Sequence, residues 1–517
     1  MHHAIFNGPP PLRSARRDMK GAMWGPRPPL LPGAVAAIIA VSITVLLLAA
    51  APSPAGAQLF SSLANNDILR PFRQLTASRL LLAHSYSLHV FKEGWVWRRL
   101  ILINDALSEL TLLSPATSPL LQTSRGGPGP GGGSSQDQSG IRRQPLFPSS
   151  MPFPCNASAA AFGRSRTTPT SVHRLRPGDI AVVGAMGDSL VAGNGALEEF
   201  ALGTLIEYRG VSWCAGGQGD WRHFLTLPNI LKLFNPNLKG YSTGKGEFLA
   251  SNAHMNVAFP VSAASDAYKQ AVFLVRKMKK DPLIDFHNDW KMVTMLFGAN
   301  DICSAQCYDR EGTSANQHAR KLKMALDYLH QNLPRTFVNL VPVIDPSVSV
   351  RVKRSFMCRV LHRFFCQCFH LDGNADEMDI ITSLVRDFQN AEKQLVDSGR
   401  YDTKDDFTVV IQPFMKLFNA PRDRALWNTE VIDISYVTYD CFHFSQKGHA
   451  MAANLLWNNI LQPVGFKSTS LIPGLLKDFK CPSREAPFLF TANNTRTFLA
   501  TGSQFLPQER EAEVLRL

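Results

Sequence analysis

Four stretches of the chain are almost continuously apolar: Asp179–Gly187 (DIAVVGAMG), Met292–Gly298 (MVTMLFG), Phe337–Ile344 (FVNLVPVI) and Phe407–Gln412 (FTVVIQ). A strand that shows one face to water alternates apolar and polar positions, so unbroken runs predict strands covered on both sides. Between them, Ala267–Lys280, Ser314–Asn332 and Glu377–Ser398 read as amphipathic helices, and Ser445–Leu461 reads as a last helix with Ser445 as its N-cap. Strands alternating with helices predict a mostly parallel sheet in a three-layer α/β/α sandwich. Sites in such sheets gather at the carboxyl ends of the strands.

The first part of the chain has a different pattern. Nineteen residues from Gly33 to Ala51 carry no charge, follow Arg13, Arg16, Arg17, Lys20 and Arg27, and lead to Ala55-Gly56-Ala57. A basic start, an apolar stretch and an A-x-A exit make a secretory signal, and the stretch is also long enough to serve as an uncleaved anchor. Residues 1–57 are therefore expected to direct the rest to the secretory route or the outer face of a membrane. Residues 58–150 show no sustained period and end in a Gly/Pro/Ser-rich run (SRGGPGPGGGSSQDQSG) that composition marks as a linker. One large domain is expected over 151–490, followed by a polar tail over 491–517.

Composition refines this picture. Charged residues are 18% of the 517, below the usual ~25%, as suits a chain with a sizeable core. The net charge of +13 could suggest nucleic acid, but residues 1–150 hold fourteen of the 54 Lys and Arg and only six of the 41 Asp and Glu. The folded part is only mildly basic and carries no helix-turn-helix, RNP-like or paired CxxC pattern, so no nucleic-acid partner is expected. All nine cysteines lie beyond residue 150 with no zinc spacing. In an exported chain they read as disulfides with at least one thiol left over, and Cys303–Cys307 is the first local pair to consider. Asn156-Ala157-Ser158 and Asn493-Asn494-Thr495 are glycosylation sequons.

The strand ends hold the candidate chemistry. The first strand runs into Gly187-Asp188-Ser189-Leu190, the strand ending at Gly298 runs into Ala299-Asn300-Asp301, and Asp440-Cys441-Phe442-His443 precedes the last helix. A serine hydroxyl is a weak nucleophile and needs a base within hydrogen-bond reach, which His443 can supply. Asp440, three residues earlier, can hold the other imidazole nitrogen, and Asn300 with the amide of Ser189 can meet an oxyanion. His449 is the competing base, but it has no carboxylate at a similar offset and falls inside the last helix. Other signatures fail: the serine context is not G-x-S-x-G, Gly240–Lys245 has three residues where a phosphate loop needs four, and no HExxH occurs. The chemistry requires no metal or other cofactor.

With these residues in view, the chain resembles the GDSL or SGNH hydrolases and, within them, the phospholipase B family. The resemblance rests on an ordered series: VVGAMGDSLVAGNGA at Val182–Ala196, YRGVSW at Tyr208–Trp213, TLPNIL at Thr226–Leu231, FNPNLKGYS at Phe234–Ser242, then FGANDIC, PRTFVNLV, RYDTKDDFTVVIQPF and DCFHFSQKGH. It implies a flavodoxin-like α/β/α sandwich, with Ser189 as nucleophile, Asp440 and His443 completing a triad, and Asn300 donating to the oxyanion. It further implies an esterase acting on glycerophospholipids and lysophospholipids at a membrane surface. The family's second block normally supplies a glycine amide to the oxyanion, whereas Asn256–Ser262 contains none, leaving the N–H near Val261 as the replacement. Family members often repeat the domain and carry a C-terminal anchor; this chain shows one domain and a polar end.

Two other functions fit the same residues: a general carboxylesterase on non-lipid esters, and an inactive lipid-binding protein, which the missing glycine would favour. Trp213, Trp221 and Phe224 read first as core, with an acyl-chain groove as the alternative. Because the base must be neutral, activity is expected to fall on acidification.

Overall fold

The computed structural model describes residues 142–155, 163–351, 358, 362, 366–369, 375–426 and 433–505. The apolar run 33–51, the stretch 58–141, the sequon at Asn156 and the last residues of the tail lie outside them.

The four apolar runs become four parallel strands, β1 (Ile180–Gly187), β2 (Trp290–Leu296), β3 (Thr336–Leu340) and β4 (Phe407–Ile411), hydrogen-bonded in that order. Along the other edge of β1 runs an irregular lane: Val183 and Ala185 donate to the carbonyls of Lys239 and Met255, and the amides of Val257 and Phe259 donate to Ala185 and Gly187. Parallel neighbours need long crossovers, and here these are the helices α1 (Ser189–Ala192), α2 (Leu227–Phe234), α3 (Ala267–Lys280), α4 (Ala315–Asn332) and α5 (Ala375–Asp397), with α6 (Gln446–Ile460) and α7 (Ala492–Thr501) after the last strand.

Both faces of the sheet are covered, which accounts for the unbroken strand runs. Val182, Met186, Val293 and Val338 pack under α3 and α4 through Leu274, Met278, Leu322 and Leu326. Val183, Ala185, Met292 and Phe337 pack against Ile230 and Leu231 of α2 and Leu456 and Ile460 of α6. Each fully buried side chain of this size contributes about 1.5–3 kcal/mol. This is the three-layer α/β/α arrangement. Ser445 caps α6 by accepting the Gly448 amide at 3.1 Å.

Packing reaches past both expected ends of the 151–490 segment. The Gln144 side chain accepts the Leu225 amide at 2.8 Å, and Asn494 in α7 donates to the His173 carbonyl at 2.9 Å. Asn493, the second sequon residue, is exposed on α7.

The cysteines pair as Cys155–Cys481, Cys303–Cys366, Cys307–Cys368 and Cys358–Cys441, leaving Cys214 as a buried thiol. The local Cys303–Cys307 bridge expected from proximity does not form. The wide helical turn Asp301–Ala305 and the residues after it present both sulfurs to the short helix Gln367–Phe369, so each finds a partner across space. Trp213 and Trp221 are core residues, 0% and 1% exposed, which removes them as groove lining; Trp213 instead donates its indole N–H to Leu190 at 3.0 Å.

Candidate active site

Ser189 stands where β1 becomes α1. Gly187 permits the sharp change of direction: at φ 157° a side chain there would come within 2.6 Å of the Leu296 carbonyl and of Val191. Asp188 caps α1 by accepting the Leu190 amide at 2.9 Å. One turn of helix therefore presents the Ser189 hydroxyl at the carboxyl end of β1.

The loop from Thr438 to His443 is folded by its own aspartate. One oxygen of Asp440 accepts the amides of Phe442 at 2.9 Å and His443 at 3.1 Å, while the Thr438 amide donates to the His443 carbonyl at 2.8 Å. The other oxygen meets His443 Nδ1 at 2.5 Å, and His443 Nε2 lies 2.7 Å from Ser189 Oγ. Residues 189, 443 and 440 thus form one continuous hydrogen-bonded chain, although 254 positions separate the first two. Cys358 clamps the loop through Cys441, and His362 Nε2 bonds the Asp440 carbonyl at 2.8 Å.

Burial alone would raise the Asp440 carboxyl. The facing His443 imidazole and the hydroxyls of Thr204 and Thr438 outweigh it and hold the group well below the usual carboxylate range, so it is a permanent anion. Asp188 differs: burial pushes it up to about 7, with the Leu190 amide and His443 opposing and Asp301 adding to the rise.

Asn300 follows the turn at Gly298 and donates one Nδ2 hydrogen to the Ser262 carbonyl at 3.0 Å. The next residue, Asp301, accepts the Ala264 amide at 2.8 Å. These two bonds stitch the Asn300 loop to the second block. Val261 sits in that block with φ 60° and is 59% exposed. The left-handed region favours glycine, the residue type the family resemblance expects in this block.

Three contributors were missed by sequence reasoning. Gln270 of α3 joins two blocks, with its amide oxygen accepting the Gly187 N–H at 2.8 Å and its nitrogen donating to the Gly187 carbonyl and to Ser262 Oγ. Thr204 and Thr438 both donate to the Asp440 carboxylate. Only Thr438 left a trace in the sequence, two positions before the aspartate. His449 is set apart from the hydroxyl: it accepts the Trp213 amide, and burial with the nearby His443 lowers it to about 3. A cavity of about 300 Å³ lined by Lys279, His330 and Lys404 opens beside Pro334 and Asp406, at the starts of β3 and β4 and so at the opposite end of the sheet.

The parallel sheet with helices on both faces defines an α/β protein. The sequence model of the GDSL-like lipase/acylhydrolase family matches residues 183–456, more than half of the chain, and the chain belongs to that family. Among curated proteins it is similar to the membrane-associated phospholipase B1 of Rattus norvegicus, with 42% identity over 337 residues, covering 64% of this chain. The proteins of the same name from Mus musculus and Homo sapiens are 40% and 39% identical over 67% and 66% of this chain. The chain spans 23% of the length of the rat protein. An acetyl xylan esterase structure from Geobacillus stearothermophilus covers 53% of this chain, and this chain 94% of it, at 12% identity and a TM-score of 0.27, too low to carry an inference.

Proposed function

We propose that this protein is a phospholipase B-like serine esterase that removes acyl chains from glycerophospholipids and lysophospholipids through an acyl-enzyme. The observation that carries the reading is the unbroken Ser189–His443–Asp440 chain of hydrogen bonds at the carboxyl end of β1. The similarity to proteins named phospholipase B1 supports the choice of lipid esters over other esters.

Ser189 Oγ attacks the ester carbonyl carbon as its proton passes to His443 Nε2. The carbonyl oxygen, now an anion, is met by the second Nδ2 hydrogen of Asn300, the Ser189 amide and the amide near Val261, each such donor contributing about 3–4 kcal/mol. Collapse breaks the bond to the glyceryl oxygen, which leaves with the proton from His443. Water repeats the sequence on the acyl-serine, so one ester and one water give one fatty acid and one alcohol. Asp440 keeps Nδ1 protonated throughout and balances the imidazolium.

The same reading places the protein on the secretory route, released or held by its N-terminal apolar segment at the outer face of a membrane. Four disulfides support an oxidising compartment. Among the described residues no helix is long and apolar enough to cross a membrane.

Fatty-acid release from phosphatidylcholine, lysophosphatidylcholine and a short soluble ester, measured on wild type and Ser189→Ala, tests the proposal. Release from both lipids, abolished by the substitution with folding intact, is expected. Turnover of the soluble ester alone would replace it with the general carboxylesterase; lipid release by Ser189→Ala at the wild-type rate would remove Ser189 from the mechanism.

A further inference from the structure

Thr204 belongs to none of the blocks at the strand ends, yet its hydroxyl is embedded in the triad. Oγ1 donates to Asp440 Oδ2 at 2.6 Å and lies 2.9 Å from His443 Nδ1, while the residue is only 4% exposed. We propose that Thr204 is a positioning residue that fixes the Asp440–His443 pair against Ser189.

A hydroxyl has a single proton, and here it goes to the carboxylate, leaving a lone pair to face Nδ1. Nδ1 then has two acceptors before it, Asp440 Oδ2 and Thr204 Oγ1, and is satisfied only when it carries hydrogen. The lone pair of the ring is thereby left on Nε2, toward the Ser189 hydroxyl. The same contact holds Oδ2 in place, because the carboxylate cannot rotate without giving up the threonine as well as the imidazole. Without Thr204, Oδ2 would keep the His443 imidazole alone among the described residues.

The backbone around Thr204 shows why this hydroxyl can register one block against another. Its carbonyl accepts Asn194 Nδ2 at 2.9 Å, Gly195 donates to the Ile206 carbonyl at 2.8 Å, and Tyr208 donates to the Gly193 carbonyl at 3.0 Å. The turn Ala201–Leu205 is thus tied to the residues that follow Ser189, while its side chain grips the loop that carries His443. It is a strut from the nucleophile block to the base block, and it acts through Asp440 and His443 without touching substrate.

The test compares wild type with Thr204→Val, which keeps the shape and removes the hydroxyl, and Thr204→Ser, which restores it. On a soluble short-chain ester, Thr204→Val should lower kcat by about tenfold or more with KM within about twofold, and Thr204→Ser should return most of the rate. The low-field proton resonance of the His443 Nδ1–H should move in the valine variant and return in the serine one. Should valine prevent folding, Thr204→Ala carries the same comparison. Wild-type kcat together with an unmoved resonance in the variant lacking the hydroxyl would overturn the proposal. The rate arm rests on the esterase reading. The resonance does not, so a chain that hydrolyses no ester defeats that reading while the resonance still decides the role of Thr204.

Discussion

Asp188 directly precedes Ser189 and Val261 lies in the Asn256–Ser262 block, and each departs from what its residue type ordinarily tolerates. Asp188 is 1% exposed, and burial raises its carboxyl from 3.8 to about 7. In the unfolded chain the proton leaves near the ordinary value, so from about pH 4 to about pH 7 the folded state binds more protons than the unfolded state. This group's contribution to stability therefore falls as pH rises through that window. Asn at this position can still cap Leu190 but does not titrate. The thermal midpoint of Asp188→Asn relative to wild type should rise between about pH 5 and about pH 8; an equal difference at both would show that Asp188 does not titrate there.

Val261 is a β-branched residue at φ 60°, where non-glycine residues carry strain of about 1–3 kcal/mol. Val261→Gly removes that strain, partly offset by about 0.5–1 kcal/mol from the added freedom of the unfolded chain. It also uncovers the turn amide. The thermal midpoint should stay level or rise, and kcat/KM on a soluble ester should increase severalfold. A loss of both would mean that the valine side chain, rather than the amide, is what the turn provides.

At the scale of elements, three of the four disulfides fasten one segment to the site. Cys366 and Cys368 hold the turn after Asn300, and Cys358 holds the loop between Asp440 and His443. Cys155–Cys481, by contrast, joins the two ends of the domain. Removing either Cys358–Cys441 or Cys155–Cys481 should cost about 2–4 kcal/mol of stability. Only the first should also lower kcat in protein that remains folded, which thermal melts and esterase rates on the two double alanine variants would separate. Equal rates would mean that the Asp440 turn is rigid enough through its own hydrogen bonds.

The elements were largely legible in the sequence because burial on both faces leaves unbroken apolar runs. The strand cores and the helix Ala267–Lys280 were read directly. Ser189, Asn300, Asp440 and His443 were legible because each sits at a strand end or just before a helix, in a short polar interruption. Thr204 and Gln270 were not. A threonine in an irregular turn and a glutamine on an amphipathic helix look solvated until the chain folds over them. Disulfide pairing was equally hidden, since Cys303 and Cys307 lie near each other in the chain but face a common third segment.

For the whole molecule, the net positive charge is uneven along the sequence: residues 1–150, with fourteen Lys and Arg against six Asp and Glu, carry +8 of the +13. Cys214, the one cysteine outside the four disulfides, is buried, and burial pushes its thiol up to about 12, which disfavours the reactive thiolate. The reactive group of the molecule should therefore be an oxygen and not a sulfur. Labelling the full chain with a fluorophosphonate, followed by peptide mass spectrometry, measures this directly. A single adduct on Ser189, lost in His443→Ala while circular dichroism shows the variant folded, is the expected result. No adduct on the wild-type protein, or an adduct elsewhere with Ser189 unmodified, would contradict an activated serine at this site.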